Sequence, residues 1–145
     1  MLILLGPDVC RQIMLTQDEA VLNLLESWSA RSDEIMLSAV TYAELVAGAL
    51  NTTEKAKHMN LVKSFCERLD AIVPWDENAV DKYTEIQMQA IAEGTITNMN
   101  NAMLAAHAIC LDASLLCSNG KSFEDIGGLK LLVLDESGQL EGSNN

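Results

Sequence analysis

Five short apolar runs, separated by longer amphipathic stretches, set the hydrophobic pattern of this chain. Short apolar runs are typical of strands buried on both faces, whereas the longer stretches repeat their apolar positions at helical spacing. The runs lie at residues 2–5, 34–38, 71–74, 113–118 and 129–134. Because strands alternate with helices, the pattern predicts an α/β fold in three layers, with a central parallel sheet of four or five strands and helices on both faces.

Residues 38–49 lead from a predicted strand into a predicted helix and contain the first candidate site residue, Glu44. Thr41 and Glu44 have the spacing of a capping box, in which the glutamate only satisfies a backbone N–H. Alternatively, Glu44 lies at the mouth of the sheet, where α/β folds place their ligands, and would hold a cation there. Spacing alone favours the capping role.

The chain is acidic, with nine Lys and Arg residues, 21 Asp and Glu residues and a net charge of −12. Proteins that bind long phosphate backbones cluster their basic side chains. One predicted helix carries such a group, consisting of Lys55, Lys57, Lys63 and Arg68. A solvated helix face explains this group, so the charge disfavours RNA as a ligand and suits solubility or a basic protein partner.

A length of 145 residues suits a single domain. We expect this domain to span residues 1–134 and the acidic residues 135–145, rich in Gly, Ser and Asn, to form a flexible tail. No apolar run reaches the roughly 18 residues of a membrane-spanning helix, and the N-terminus lacks the basic region of a signal peptide. The four cysteines show no Cys-x-x-Cys pairing. These features predict a cytoplasmic protein with reduced thiols and no membrane association.

Four stretches of the chain follow the motif order of a known family. Residues 4–10 (Leu-Leu-Gly-Pro-Asp-Val-Cys) resemble its Leu-Asp-Thr-Asn-Ile-Cys opening, and residues 38–49 match its Ser-x-x-Thr-x-x-Glu-Leu-x-x-Gly segment. Residues 73–76 resemble the segment before its long helix, and residues 94–129 contain pieces similar to its C-terminal third. Together, these stretches resemble a PIN domain of the VapC type, the toxin ribonuclease of bacterial toxin–antitoxin pairs.

The resemblance implies a site of three or four carboxylates around one or two Mg²⁺ or Mn²⁺ ions, which activate water to cut a phosphodiester bond. The acidic positions of the family fall, in chain order, on Gly6, Glu44, Asn101 and Gly120. Of these four residues, only Glu44 is a carboxylate.

Asp8, two residues beyond the first lost acid, is the candidate to replace it. The replacement shifts the charge by about 6–7 Å along an extended chain. Asn101 offers a carbonyl oxygen without a charge, so a site of Asp8, Glu44 and Asn101 carries two charges where the family carries three or four. Since the number of ligand charges tunes the affinity for hard cations, we expect weak or no binding of Mg²⁺ or Mn²⁺.

Three further polar residues near these positions are candidates for a role in the site. Asn98 and Asn119 are candidates to contact RNA or phosphate, although asparagines at helix starts are usually caps. His107 lies six residues after Asn101 and is expected to be a packed, hydrogen-bonded side chain rather than a catalytic base.

Three functions follow from these observations. The favoured one is a VapC-like protein that has lost most or all of its ribonuclease activity and keeps a partner-binding or dimerising role. The second is an active endoribonuclease, dependent on Mg²⁺ or Mn²⁺, that uses Glu44 with Asp8. The third is a module that binds RNA or a peptide without catalysis. The resemblance also implies a cognate antitoxin and a homodimer; apolar positions in residues 20–28 and 54–69 are candidates for these contacts, although a core role suits them better.

Overall fold

Strands and helices alternate along the chain in the computed structural model, which describes residues 1–142. The strands are β1 (Leu2–Leu5), β2 (Glu34–Ser38), β3 (Ala71–Val73), β4 (Ser114–Cys117) and β5 (Lys130–Val133). The helices are α1 (Pro7–Thr16), α2 (Glu19–Ala30), α3 (Ala39–Leu50), α4 (Lys55–Glu67), α5 (Glu77–Glu93) and α6 (Met99–Cys110). A short 3-10 helix, Gly120–Phe123, follows β4. The predicted parallel α/β fold is confirmed, with five strands.

β1 is the central strand of the sheet, in which every neighbouring pair is parallel and the order is β3-β2-β1-β4-β5. Ile3 pairs with Ile35 on one side and with Ser114 on the other. Because all strands run in the same direction, their carboxyl ends share one edge of the sheet. β2 and β3 lie on one side of β1, and β4 and β5 lie on the other. At such a switch point in the strand order, α/β sheets open a crevice for ligands.

Helices cover both faces of the sheet, each with its own apolar cluster. Ile3 and Leu5 share one cluster with residues of α1 to α4, whereas Leu4 shares the other with residues of α6. The alternation of side chains along β1 explains this division. Small buried residues let α6 approach the sheet closely; they are Ala102, Ala105, Ala106 and Ala108. None of the helices in the described chain has the length and apolar character needed to cross a membrane.

Ser38, not Thr41, caps α3. The Ser38 hydroxyl accepts the backbone N–H of Val40 at 3.1 Å, and the helix begins at Ala39. Thr41 is therefore already inside the first turn, and the capping box predicted for Thr41 and Glu44 is wrong. The cap comes three residues earlier than the pattern predicts, which leaves Glu44 without a capping role.

Ser38 also joins the end of β2 to α6. Its Oγ lies 2.7 Å from Nδ1 of His107, and both side chains are buried. Proline has no N–H, so in the hydrogen bond between the ring and the Pro74 backbone the ring is the donor, through Nε2. In the neutral ring Nδ1 is then the acceptor, and the Ser38 hydroxyl donates to it. Burial lowers the pKa of His107, against smaller opposing effects of the Asp76 charge and of a hydrogen bond with the Pro74 backbone. The prediction of a packed, hydrogen-bonded histidine is confirmed.

Residues 134–142 turn back along the sheet, where composition predicts a flexible tail. The N–H of Glu141 donates to the Val133 carbonyl at 2.7 Å. Leu134 and Leu140 form an isolated antiparallel bridge, and Leu134 is buried. This turn covers the end of β5, and residues 143–145 of the predicted tail lie outside the described residues.

Thr41→Val tests a buried hydroxyl in the first turn of α3. Thr41 is fully buried, and its Oγ1 has no hydrogen-bond partner within residues 1–142. A buried, unsatisfied hydroxyl costs about 1–3 kcal/mol. Valine has nearly the same shape, so this variant should keep the thermal midpoint or raise it by up to about 5 °C. Ser38→Ala removes two hydrogen bonds, is the matched control and should lower the midpoint; an equal fall in Thr41→Val contradicts the assignment.

The fold should lose stability when His107 becomes protonated. The pKa of His107 is lowered in the folded chain, whereas an ordinary histidine in the unfolded chain has a pKa of about 6.5. The unfolded chain therefore binds the proton more readily. The contribution of neutral His107 to the free energy of unfolding is complete above about pH 6.5. It is lost as the pH falls from there towards the lowered pKa of His107. We expect a lower thermal midpoint at about pH 5.5 than at about pH 7.5, and a smaller difference in His107→Asn.

His58→Asn serves as the control for this pH effect and should keep the full difference between the two midpoints. An undiminished difference in His107→Asn would show that other groups cause the pH dependence.

Candidate functional site

The four positions that the resemblance aligns with acids lie at the carboxyl edge of the sheet. Gly6 directly follows β1, and Gly120 opens the short helix after β4. Glu44 is the sixth residue of α3, and Asn101 is the third residue of α6. Both helices begin at this edge because they belong to crossovers between parallel strands. The fold therefore brings together residues that are far apart in the sequence.

Gly6 leaves no space for a side chain. Its N–H donates to the Leu116 carbonyl at 2.7 Å, which holds the two backbones together just beyond the last paired residue of β1. A Cβ at this position would lie 2.9 Å from that carbonyl oxygen and 3.0 Å from Oδ1 of Asp8. The backbone angles, φ −71° and ψ 156°, suit any residue, so the constraint at position 6 is steric.

The Asp8 carboxylate is occupied by backbone amides. Its Oδ1 accepts the N–H of Val9 at 2.8 Å, and its Oδ2 accepts the N–H groups of Ser118 at 2.8 Å and Asn119 at 3.2 Å. Hydrogen bonds to an ionised carboxylate are among the stronger ones, and the first turn of α1 favours a negative charge. Asp8 therefore ties α1 to the loop after β4.

Two buried thiols beside Asp8 supply no ligand for a cation. Burial raises the pKa of Cys117 to about 12, and the charge of Asp8 adds to this effect. Burial also holds the pKa of Cys10 well above its usual value. Since the thiolate is the form that attacks as a nucleophile, burial keeps both cysteines unreactive, and sulfur is a poor ligand for Mg²⁺ or Mn²⁺.

Glu44 is half-buried beside two pockets that flank α3. The first, of about 260 Å³, is lined by Val40, Ala43, Glu44, Ala47, Asn100 and Met103. The second, of about 210 Å³, lies among α1, α3 and α4. None of the ion pairs formed within residues 1–142 includes Glu44. Asp8 lines neither of these two pockets.

The asparagines of the candidate site take part in local structure. Oδ1 of Asn98 accepts the N–H of Asn101 at 3.1 Å and caps α6. Asn119 donates its backbone N–H to the Asp8 carboxylate, while its side chain is exposed. At position 120, a Cβ would lie 3.0 Å from Cγ2 of Val133, so a side chain there would press on β5.

The donors at this edge do not suit Mg²⁺ or Mn²⁺. These hard cations prefer oxygen ligands in near-octahedral geometry, with carboxylates supplying the protein's share of the charge. Across residues 1–142, no three His, Cys, Asp or Glu side chains are grouped so that they could hold an ion. Glu44 offers a carboxylate and Asn101 an uncharged amide oxygen, while Asp8 is engaged by three amides.

The pocket among α1, α3 and α4, which we name the α1–α3–α4 groove, is mostly apolar and includes part of residues 54–69, for which the sequence favoured a core role over a partner contact. It is lined by Arg11, Met14, Leu15, Glu44, Leu45, Gly48, Ala49, Thr52, His58, Leu61 and Val62. Leu15 is 66% exposed, and a Cβ added at Gly48 would meet no atom within 4 Å. The signals in the sequence were weak: an apolar residue near the end of α1 and a glycine one turn after Glu44.

Known proteins resemble this chain in sequence. The family model of the PIN domain matches residues 14–129. Ribonuclease VapC2 of Rickettsia felis is 27% identical over 131 residues, which cover 90% of this chain and 96% of that protein. The tRNA(fMet)-specific endonuclease VapC of Shigella flexneri is 24% identical over 105 residues, which cover 72% of this chain and 79% of that protein.

A solved structure resembles the chain in three dimensions as well. The crystal structure of VapBC2 from Rickettsia felis, bound to a DNA fragment from its promoter, matches with a TM-score of 0.85 and 27% identity. The match covers 90% of this chain and 97% of that chain. From the family model and this superposition, we conclude that the protein belongs to the PIN-domain family and is of the VapC type.

Proposed function

We propose that this protein is a VapC-like PIN domain that has lost most or all of its metal-dependent ribonuclease activity and keeps a partner-binding role. The engagement of the Asp8 carboxylate carries the proposal. Three backbone N–H groups hold the acid that would have to replace the one lost at position 6. Glu44 is then the remaining carboxylate among the family's acidic positions.

A single free carboxylate is a poor basis for the hydrolysis that the family performs. The ion must be held firmly enough to lower the pKa of a bound water and to clamp the phosphate. Each missing ligand charge weakens the binding of a hard cation. Asn101 supplies an oxygen without a charge, and Gly6 and Gly120 supply no side-chain oxygen. The net charge of −12 further disfavours the approach of an RNA backbone.

An active endoribonuclease, dependent on Mg²⁺ or Mn²⁺, is the alternative, because two relatives are a ribonuclease and a tRNA-specific endonuclease. It would require Asp8 to release the N–H groups of Ser118 and Asn119 and to turn towards Glu44. Each abandoned hydrogen bond to a charged group costs about 1.5–3 kcal/mol, which the cation would have to recover. The geometry therefore favours the loss of activity.

Titration with Mn²⁺ and an RNA cleavage assay test the proposal together. Calorimetry of the purified chain should detect no Mn²⁺ site of micromolar affinity, because too few charged ligands are free. Single-stranded RNA should stay intact with Mn²⁺ or Mg²⁺ present. Glu44→Ala and Asp8→Ala identify any contaminating nuclease, whose activity would survive both substitutions. Cleavage that both substitutions abolish would establish the endoribonuclease instead.

The partner-binding role has a suitable surface in the α1–α3–α4 groove. The solved neighbour from Rickettsia felis is a VapBC complex, and we propose a cognate antitoxin as the partner of this chain. Apolar helix faces that form a groove are a common way to bind an amphipathic segment. Arg11, Glu44 and His58 accompany the apolar lining and can orient the polar side of such a segment. The proposal includes a homodimer in the cytoplasm, as the family resemblance implies.

Gly48→Gln should block the groove without damaging the fold. A Cβ at Gly48 meets no atom within 4 Å, and replacing a glycine inside a helix stabilises by about 0.5–1 kcal/mol. The thermal midpoint should therefore stay unchanged or rise. The tagged variant should lose the small protein that co-purifies with tagged wild type from the native host, as judged by mass spectrometry.

Ser64→Gln is the matched control, because Ser64 is exposed on α4 outside the groove. This variant should keep the partner. If Gly48→Gln keeps it too, the interface lies on another surface.

A further inference from the structure

We infer that Gly6 and Asp8 are a coupled pair, in which Asp8 latches the loop after β4 to the start of α1 and glycine at position 6 provides the space for this latch. The inference concerns how the carboxyl edge of the sheet is built. It holds whether or not the protein cuts RNA, so it does not depend on the proposed function.

The two residues are in direct steric competition. A Cβ at position 6 would stand 3.0 Å from Oδ1 of Asp8, which is closer than such atoms normally approach. The carboxylate cannot swing away freely, because Val9 holds Oδ1 while Ser118 and Asn119 hold Oδ2. A side chain at position 6 therefore forces the bound carboxylate at position 8 to shift by a few tenths of an ångström against its hydrogen bonds.

The latch continues into a chain of polar side chains that reaches α2. The Ser118 hydroxyl donates to Oε1 of Gln12 at 3.3 Å, and Nε2 of Gln12 donates to Oδ2 of Asp18 at 2.8 Å. Oδ1 of Asp18 caps α2 by accepting the N–H groups of Ala20 and Val21. Side chains rather than sheet pairing thus tie together the loop after β4, α1 and the start of α2.

An aspartate at position 6 would meet two obstacles at once. Its Cβ would press on the Leu116 carbonyl, which is backbone and moves only with β4. Its Cβ would also lie 3.0 Å from Oδ1 of Asp8, so a second negative charge would be attached beside the first, and like charges at short distance repel. An acid restored at position 6 alone therefore disturbs the hydrogen bonds of Asp8, and this cost opposes its use as a ligand.

A double-mutant cycle on the thermal midpoint tests the coupling. Gly6→Ala should lower the midpoint by about 5 °C or more. In the Asp8→Ala background, the loss caused by Gly6→Ala should shrink to about half, because the contact with Oδ1 is gone and that with the Leu116 carbonyl remains. Equal losses in the two backgrounds would overturn the coupling.

Gly127→Ala is the matched control for adding a methyl group. A Cβ at Gly127 meets no atom within 4 Å, so this variant should keep the wild-type midpoint. A fall equal to that of Gly6→Ala would mean that the loss at position 6 is not caused by its local contacts, and it would also overturn the inference.

Amide hydrogen exchange tests the latch without a variant at position 6. In Asp8→Ala, the amides of Ser118 and Asn119 should exchange about tenfold faster than in wild type, because they lose a charged acceptor. The amide of Leu37, in the buried part of β2, is the internal control and should keep its rate. Unchanged rates at Ser118 and Asn119 would overturn the latch.

Discussion

The close approach of two backbones beyond the last paired residue of β1 constrains the whole carboxyl edge. The N–H of Gly6 donates to the Leu116 carbonyl at 2.7 Å, a spacing that excludes a side chain at position 6. Pro7 then starts α1 directly, in the first helical position that proline favours. Asp8 follows in the first turn, within reach of the loop after β4. The contacts of Asp8 are thus a consequence of how β1 and β4 meet.

Residues 38–49 are the segment that most closely matches the family, and several of them stabilise the fold. Ser38 ends β2, caps α3 and donates a hydrogen bond to the buried ring of His107. Thr41 fills a fully buried position in the first turn. Glu44, half-buried beside two pockets, is the carboxylate of this segment. A close match over these residues therefore reports the PIN-domain architecture and says little about whether the protein cuts RNA.

The sequence predicted the sheet well because buried parallel strands are short apolar runs, and the runs at β1 and β2 agree residue for residue with the structure. It did not predict the start of α3, since serine and threonine both suit a cap and the choice involves His107, 69 residues away. It did not predict the contacts of Asp8, because every residue except proline has a backbone N–H and the sequence does not indicate which of them lie near a carboxylate. For residues 54–69 the sequence favoured a core role over a partner contact, because an apolar residue such as Leu61 has the same periodicity whether it faces a core or an open pocket.

Both outer strands of the described sheet are poorly suited to further pairing. β3 has three residues and is followed directly by Pro74, which has no N–H to donate. At the opposite side, the turn of residues 134–141 folds back and engages the Val133 carbonyl at the end of β5. Edge strands are otherwise the template on which extended peptides add to a sheet and on which chains stack into fibrils. Both features shorten the open edge of the sheet, which favours the helical surfaces for recognition by another protein.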